Sequence, residues 1–145
     1  MIAAHDADDR VSQILALTER LTALLAAEAA AFEARRPHEA FTNSEEMGRL
    51  ANVYRHESVR IKANPGMIAA AAPALRARLL KATAAFEAVL ARHGRALAAA
   101  KTVTEGLVRA IAEEVAATRQ ARTPYGPTAR APKADASAIT LNRRA

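Results

Sequence analysis

The histidines are the residues of this chain whose chemistry could be catalytic, and their spacing does not favour that role. They fall in separate stretches of the sequence, at His5, His38, His56 and His93. A helical zinc site needs two histidines about one turn apart, with a glutamate as the base. The triplet Arg55, His56 and Glu57 has suitable residue types, but no second histidine follows four residues later. We therefore expect surface histidines and no metal site.

Two further kinds of site are missing from the sequence. The five glycines are scattered, so no glycine-rich loop could hold a phosphate. The chain has no cysteine, which excludes disulfides and thiolate metal ligands and fits a reducing compartment. The sequence thus predicts no catalytic residue, no cofactor and no metal, and we do not expect an enzyme.

The composition indicates an all-α protein. The 145 residues suffice for one domain. More than half of the hydrophobic residues are alanines, 40 in number, and tryptophan is absent. Alanine is the best helix former and a poor strand former. Three Phe and two Tyr cannot fill an aromatic β-sandwich core. We expect helices that pack along narrow apolar stripes.

The charge of the chain is concentrated towards its C-terminus. The net charge is +6, although residues 1–64 are slightly acidic. The basic residues lie mostly off the apolar stripe of the third predicted helix and lack interleaved aromatics, so a solvated face is favoured over nucleic-acid binding. The acidic N-terminus and the lack of an uncharged run of about 18 apolar residues predict neither a secretory signal nor a membrane span. We expect a cytoplasmic protein.

The first predicted helix covers residues 9–36. Its apolar positions recur at steps of three and four, and Glu28 occupies one of them. Asp8 or Asp9 could cap its first turn. Pro37 should end it, because proline lacks the amide donor and clashes with the preceding turn.

The second predicted helix covers residues 43–63 and forms a hairpin with the first. The stretch from Thr42 to Glu45 has the form of a capping box. Glu57 occupies a position of the apolar stripe. The turn-forming residues Asn64, Pro65 and Gly66 should end the helix.

The third predicted helix, residues 73–121, is the longest. Pro73 fits its first position, where the missing donor is harmless. Apolar residues then follow a three-four spacing for about six heptads. His93 lies on this stripe between Leu90 and Leu97. A histidine at such a position is usually a partly buried core residue. The helix would be about 70 Å long, more than a hairpin of about 42 and 30 Å could cover.

The later part of this stripe should therefore lack a partner within the chain. Its bulky members are Leu97, Val103, Leu107, Val108, Ile111 and Val115. A soluble monomer would be expected to cover such a surface. The stripe could form a homodimer, or it could receive an amphipathic helix from another protein, and the sequence leaves both open.

The pattern changes after the third helix. Breakers surround Tyr125, and the remaining residues include few bulky apolar side chains. We expect one domain of residues 1–122, in which an antiparallel helical hairpin packs on one long third helix in a coiled-coil-like manner. A disordered basic tail of residues 123–145 should follow.

This arrangement resembles the FlgN family of flagellar type III export chaperones, and in particular its alphaproteobacterial branch. The resemblance rests on Ala63, Asn64 and Pro65, on the amino-acid sequence of residues 101–111, and on Tyr125, Gly126 and Pro127. It extends over nearly the whole chain. The chain departs from the broader family in its alanine content and its longer basic tail.

The resemblance implies a function and partners. It implies a cytoplasmic chaperone that binds the amphipathic C-terminal helix of hook-associated proteins 1 and 3, prevents their premature assembly and brings them to the export gate. It implies substrate binding on the second half of the long helix. It also implies that Tyr125 contacts the cytoplasmic domain of the export-gate protein, although a tyrosine in this turn could equally pack back on the helix end.

An alternative interpretation belongs to a different functional class. The same stripe suits a homo-oligomeric coiled-coil protein with a structural or adaptor role and no export client.

Overall fold

The computed structural model describes residues 2–122, and every regular element among them is helical. The predicted all-α class is confirmed. The elements are α1 (Ala7–Glu33), α2 (Pro37–Ala40), a 3₁₀ turn (Phe41–Asn43), α3 (Ser44–Ala63), α4 (Gly66–Ala69) and α5 (Pro73–Arg122). The predicted tail, residues 123–145, lies outside the described residues, and the proposed domain boundary at residue 122 stays a prediction.

The chain divides into two compact units. The first is Met1–Gly106 and the second is Leu107–Ala145. Helix α5 contributes residues to both units. The first unit contains α1, α3 and the earlier part of α5, and the described part of the second unit consists of residues 107–122 of α5.

Helix α1 supplies most of the core of the first unit. Its buried apolar side chains are Val11, Ile14, Leu15, Leu17, Leu21, Leu24, Leu25, Ala29, Ala31 and Phe32. These positions form a stripe wider than a coiled-coil seam, because α1 contacts both α3 and α5. The many leucine and alanine residues of α1 have high helix propensity, which favours this helix.

The cap of α1 differs from the prediction. Asp6, and neither Asp8 nor Asp9, is the N-cap, and its carboxylate accepts the backbone N–H of Asp9 at 2.8 Å. Asp8 instead accepts the backbone N–H of Ala72 at 2.7 Å, just before α5 begins. One of three neighbouring acids therefore caps α1, while another satisfies an amide at the start of a distant helix.

The predicted capping box at the start of α3 is wrong. The hydroxyl of Thr42 donates to the carbonyl of Glu39 at 3.0 Å, and Glu45 forms an ion pair with Arg49 at 2.8 Å. The N-cap, Asn43, makes no side-chain capping bond. A capping box needs an N-cap residue with an extended backbone. Here the preceding 3₁₀ turn already brings the chain into helical geometry at Ser44, so no such residue is present.

The inward side of α5 in the first unit follows most of the predicted stripe and departs from it at Leu90 and Leu97. The partly or fully buried positions along this side are Leu75, Leu79, Ala82, Phe86, Val89, His93, Ala96 and Ala100, and Thr83 and Arg92 beside them are also partly buried. Leu90 and Leu97, which the sequence placed on the stripe, are 46% and 45% exposed. The three-four spacing is retained, but it passes through Val89 and the small side chain of Ala96.

Candidate docking surface

Two polar pairs join the middle of α5 to the C-terminal half of α1. Arg92 donates two hydrogen bonds to the carboxylate of Glu33, one of them at 2.8 Å, and these lower the pKa of Glu33. The next residue, His93, pairs through Nε2 with the buried carboxylate of Glu28. The His93 ring also meets the edge of Phe32, with centroids 6.2 Å apart. These contacts fix the rotation of α5 about its axis in the first unit.

The side chain of Glu57 anchors α3 to α1 and to the N-terminal segment. It is 1% exposed and accepts hydrogen bonds from Arg10 at 3.1 Å, from Arg60 at 2.9 Å and from the backbone N–H of Ile2 at 3.0 Å. Burial alone would raise the pKa of Glu57, but the bonds from Ile2 and Arg60 and the nearby positive charges outweigh burial. The net result is a lowered pKa.

Aromatic packing completes the framework between α3 and α5. The rings of Tyr54 and Phe86 lie with their centroids 4.9 Å apart. Burial raises the pKa of the Tyr54 hydroxyl. At the other end of the hairpin, Phe41 meets the edge of Phe32 at 5.9 Å, although Phe41 itself is 59% exposed.

The six predicted docking residues are all exposed in α5. The exposed fractions are 45% for Leu97, 62% for Val103, 60% for Leu107, 61% for Val108, 55% for Ile111 and 45% for Val115. We call these six residues the exposed stripe. Leu97 and Val103 belong to the first unit, and the other four belong to the second.

Within the second unit, the spacing places the apolar side chains along one side of the helix. Leu107, Ile111 and Val115 follow at intervals of four residues, and Val108 lies beside Ile111. Every described residue from Lys101 onward is exposed. The four side chains therefore present an apolar surface that another amphipathic helix could cover.

Val103 also lines a groove in the first unit. This groove has a volume of about 340 Å³ and lies between the end of α1 and α5. Phe32, Ala99, Ala100 and Thr104 contribute to its walls. The sequence did not reveal this groove, because its walls come from residues far apart in the chain.

The histidines do not form a metal site among the described residues. Among residues 2–122, no group of three or more His, Cys, Asp and Glu side chains could hold a metal ion. His56 is exposed on α3, while His93 pairs with Glu28. Within the same described stretch, no helix is long and apolar enough to cross a membrane. Tyr125, the predicted gate-docking residue, lies outside the described residues.

Comparison with known proteins gives one informative similarity. No family model matches the chain, and no solved structure matches it. The chain is similar to the flagellar basal-body protein FlbY of Caulobacter vibrioides, with 57% identity over 148 aligned residues that cover 99% of both chains. Identity at this level along the whole length is the mark of one family, and this chain belongs to the family of FlbY.

Proposed function

We propose that this chain is a cytoplasmic flagellar export chaperone of the FlgN type. In this proposal it binds the amphipathic C-terminal helix of hook-associated proteins 1 and 3, prevents their premature assembly and delivers them to the type III export gate. The proposal rests on the exposed stripe of α5, whose bulky side chains have no cover among the described residues. The flagellar name of the relative and the resemblance to FlgN give the context.

The physical basis of binding would be a helix laid along α5. Leu107, Ile111 and Val115 would pack against the apolar face of the client helix, and the charged neighbours of these residues would remain in water. A disordered client segment loses conformational entropy when it becomes helical, which reduces the net affinity. Modest affinity suits a client that must be released at the gate.

The proposed gate contact uses a different residue. Tyr125 follows α5 in the sequence, and the FlgN resemblance assigns it to the cytoplasmic domain of the export-gate protein. Separation of the client surface from the gate contact would allow both to be occupied at once.

A double variant tests the client surface. Leu107→Asp with Ile111→Asp should weaken binding of the C-terminal segments of hook-associated proteins 1 and 3 about 100-fold, because two large apolar contacts become charged. Isothermal titration calorimetry measures the loss, and circular dichroism checks that the helix content is retained. The matched control is Val59→Asp with Leu80→Asp, which alters two apolar residues elsewhere that are at least as exposed.

The outcomes separate the two parts of the proposal. Undiminished client binding by the well-folded double variant would rule out the exposed stripe as the client surface. Tyr125→Ala should bind the client normally and lose binding to the gate domain. Equal gate binding by Tyr125→Ala and the wild type would remove Tyr125 from the proposal.

A structural role in the basal body is the second candidate. The description of the relative as a basal-body protein favours it. In that case the exposed stripe would hold the chain in a homo-oligomer or against another structural subunit. Stable co-purification of the chain with isolated basal bodies, together with no binding of either hook-associated protein, would favour this role over the chaperone.

A further inference from the structure

A groove between α1 and α5 in the first unit forms a second candidate interface. Its volume is about 530 Å³. Alanines make up much of its walls, with Ala23 and Ala26 from α1 and Ala82 and Ala85 from α5. Arg78 and Lys81 line it from α5. Small side chains at these positions would let the backbone of an added helix come close, so the groove is suited to a helix.

The charges around the groove specify the kind of helix. Neither Arg78 nor Lys81 forms an ion pair or a side-chain hydrogen bond with any residue in the described range 2–122. Glu19 is the acid that lines the groove, so cations outnumber acids there. A helix with an apolar side and acidic flanks would complement this surface.

Residues 107–115 of α5 have this chemistry. Leu107 and Ile111 are exposed apolar side chains. Glu114 follows Ile111 by three residues, on the flank of the same side of the helix. The side chain of Glu114 has no ion pair within residues 2–122.

We propose that residues 107–115 of one copy of this chain dock in the groove between α1 and α5 of a second copy. Leu107 and Ile111 would cover the alanines, and Glu114 would meet the cations Arg78 and Lys81. The two surfaces are different, so the contact is heterologous, and repetition of it produces either a ring or an open chain of copies.

This inference does not depend on the proposed chaperone function, although it uses part of the same stripe. Self-association would cover Leu107 and Ile111 when no other helix is bound. A client helix on that stripe would then compete with self-association. The groove itself takes no part in client binding, so variants of the groove separate the two interactions.

A charge-exchange experiment on the full chain tests the docking. The groove variant is Arg78→Glu with Lys81→Glu, and the helix variant is Glu114→Lys. Each variant alone should self-associate at least about 10-fold more weakly than the wild type in sedimentation velocity, because like charges would face each other. A mixture of the two should regain the wild-type association, since both kinds of contact in it again pair opposite charges.

A control and a second readout make the result specific. Arg55→Glu with Lys62→Glu changes the net charge equally on α3, away from the groove, and should associate like the wild type. The groove variant should still bind the client segments of hook-associated proteins 1 and 3, so its result is independent of the chaperone proposal.

Three results would overturn the docking. The first is a wild type that stays monomeric across the micromolar range at low salt. The second is self-association that the groove variant leaves unchanged, which would indicate a stripe-to-stripe dimer or another surface. The third is a mixture of the two charge variants that remains as weak as each alone.

Discussion

Residues 75–100 and residues 107–115 of α5 have similar apolar spacing and different surroundings. In the first stretch, α1 and α3 cover the inward side, and Phe86, His93 and Ala96 are wholly or partly buried. In the second stretch every residue is exposed. The spacing of apolar residues thus identifies an apolar side of a helix and does not identify what covers it. The lengths of the covering helices add that information, since α5 has 50 residues whereas α1 has 27 and α3 has 20.

The largest expected difference between a buried position of the first unit and an exposed position of α5 involves two glutamates. Glu57→Ala should lower the free energy of unfolding by about 4 kcal/mol, because it leaves Arg10 and Arg60 facing a buried site without their acid. Glu105→Ala should change stability little, because Glu105 is 63% exposed and lies 3.8 Å from Lys101. Urea denaturation measures both. Equal losses for the two variants would contradict the contrast between the regions.

The pH dependence of the stability of Glu57→Gln provides a second test of the same site. The pKa of Glu57 is lowered in the folded chain, so the unfolded chain takes up the proton first as the pH falls. The carboxylate therefore contributes fully above its usual pKa of 4.5, and its contribution is lost as the pH falls below that value. The wild type should exceed Glu57→Gln in stability at neutral pH, and the gap should narrow below about pH 4.5. A gap that stays constant would contradict an ionised Glu57.

The next expected effect compares one substitution in both regions. Leu21→Ala should cost about 3 kcal/mol, because Leu21 is 2% exposed and its removal leaves a cavity in the core. Leu107→Ala should change the free energy of unfolding by less than about 0.5 kcal/mol, since the side chain is 60% exposed. A monomeric sample is required, because self-association through Leu107 would add its own stability. A large loss at Leu107 in the monomer would show that this stretch is covered in solution.

The main helices were predictable from the sequence because their signals are local. The three-four spacing indicates α1, α3 and α5, and Pro65 marks the break after α3, whereas α1 already ends at Glu33 and Pro37 begins α2. Glu28 and Glu57 were also visible as acids at apolar positions. Their partners were less accessible, because Arg10, Ile2 and His93 are far from them in the chain.

Hydrophobicity alone misplaced the inward stripe of α5 at two positions. Leu90 and Leu97 are the more hydrophobic choices, yet the structure buries Ala96 and turns both leucines towards solvent. Ala96 packs in a cluster with Ala29 and Phe32 of α1, and the Glu28 and His93 pair links the same two helices. Contacts between residues far apart in the chain therefore determine the position of the stripe, and the spacing of apolar residues does not reveal them.

The smallest expected effect concerns the end of α1. Arg35 has a φ of 58°, the left-handed conformation that follows many helices and that glycine adopts without a clash between Cβ and the backbone. Arg35→Gly should raise the free energy of unfolding by about 0.5–1 kcal/mol, since relief of this strain exceeds the added entropy of the unfolded chain. The neighbouring Arg36 has a φ of −119°, so Arg36→Gly relieves nothing and should lower stability slightly. Urea denaturation of both variants distinguishes a gain at Arg35 from a general tolerance of glycine in this turn. A loss at both positions would mean that contacts of the Arg35 side chain outweigh its backbone strain.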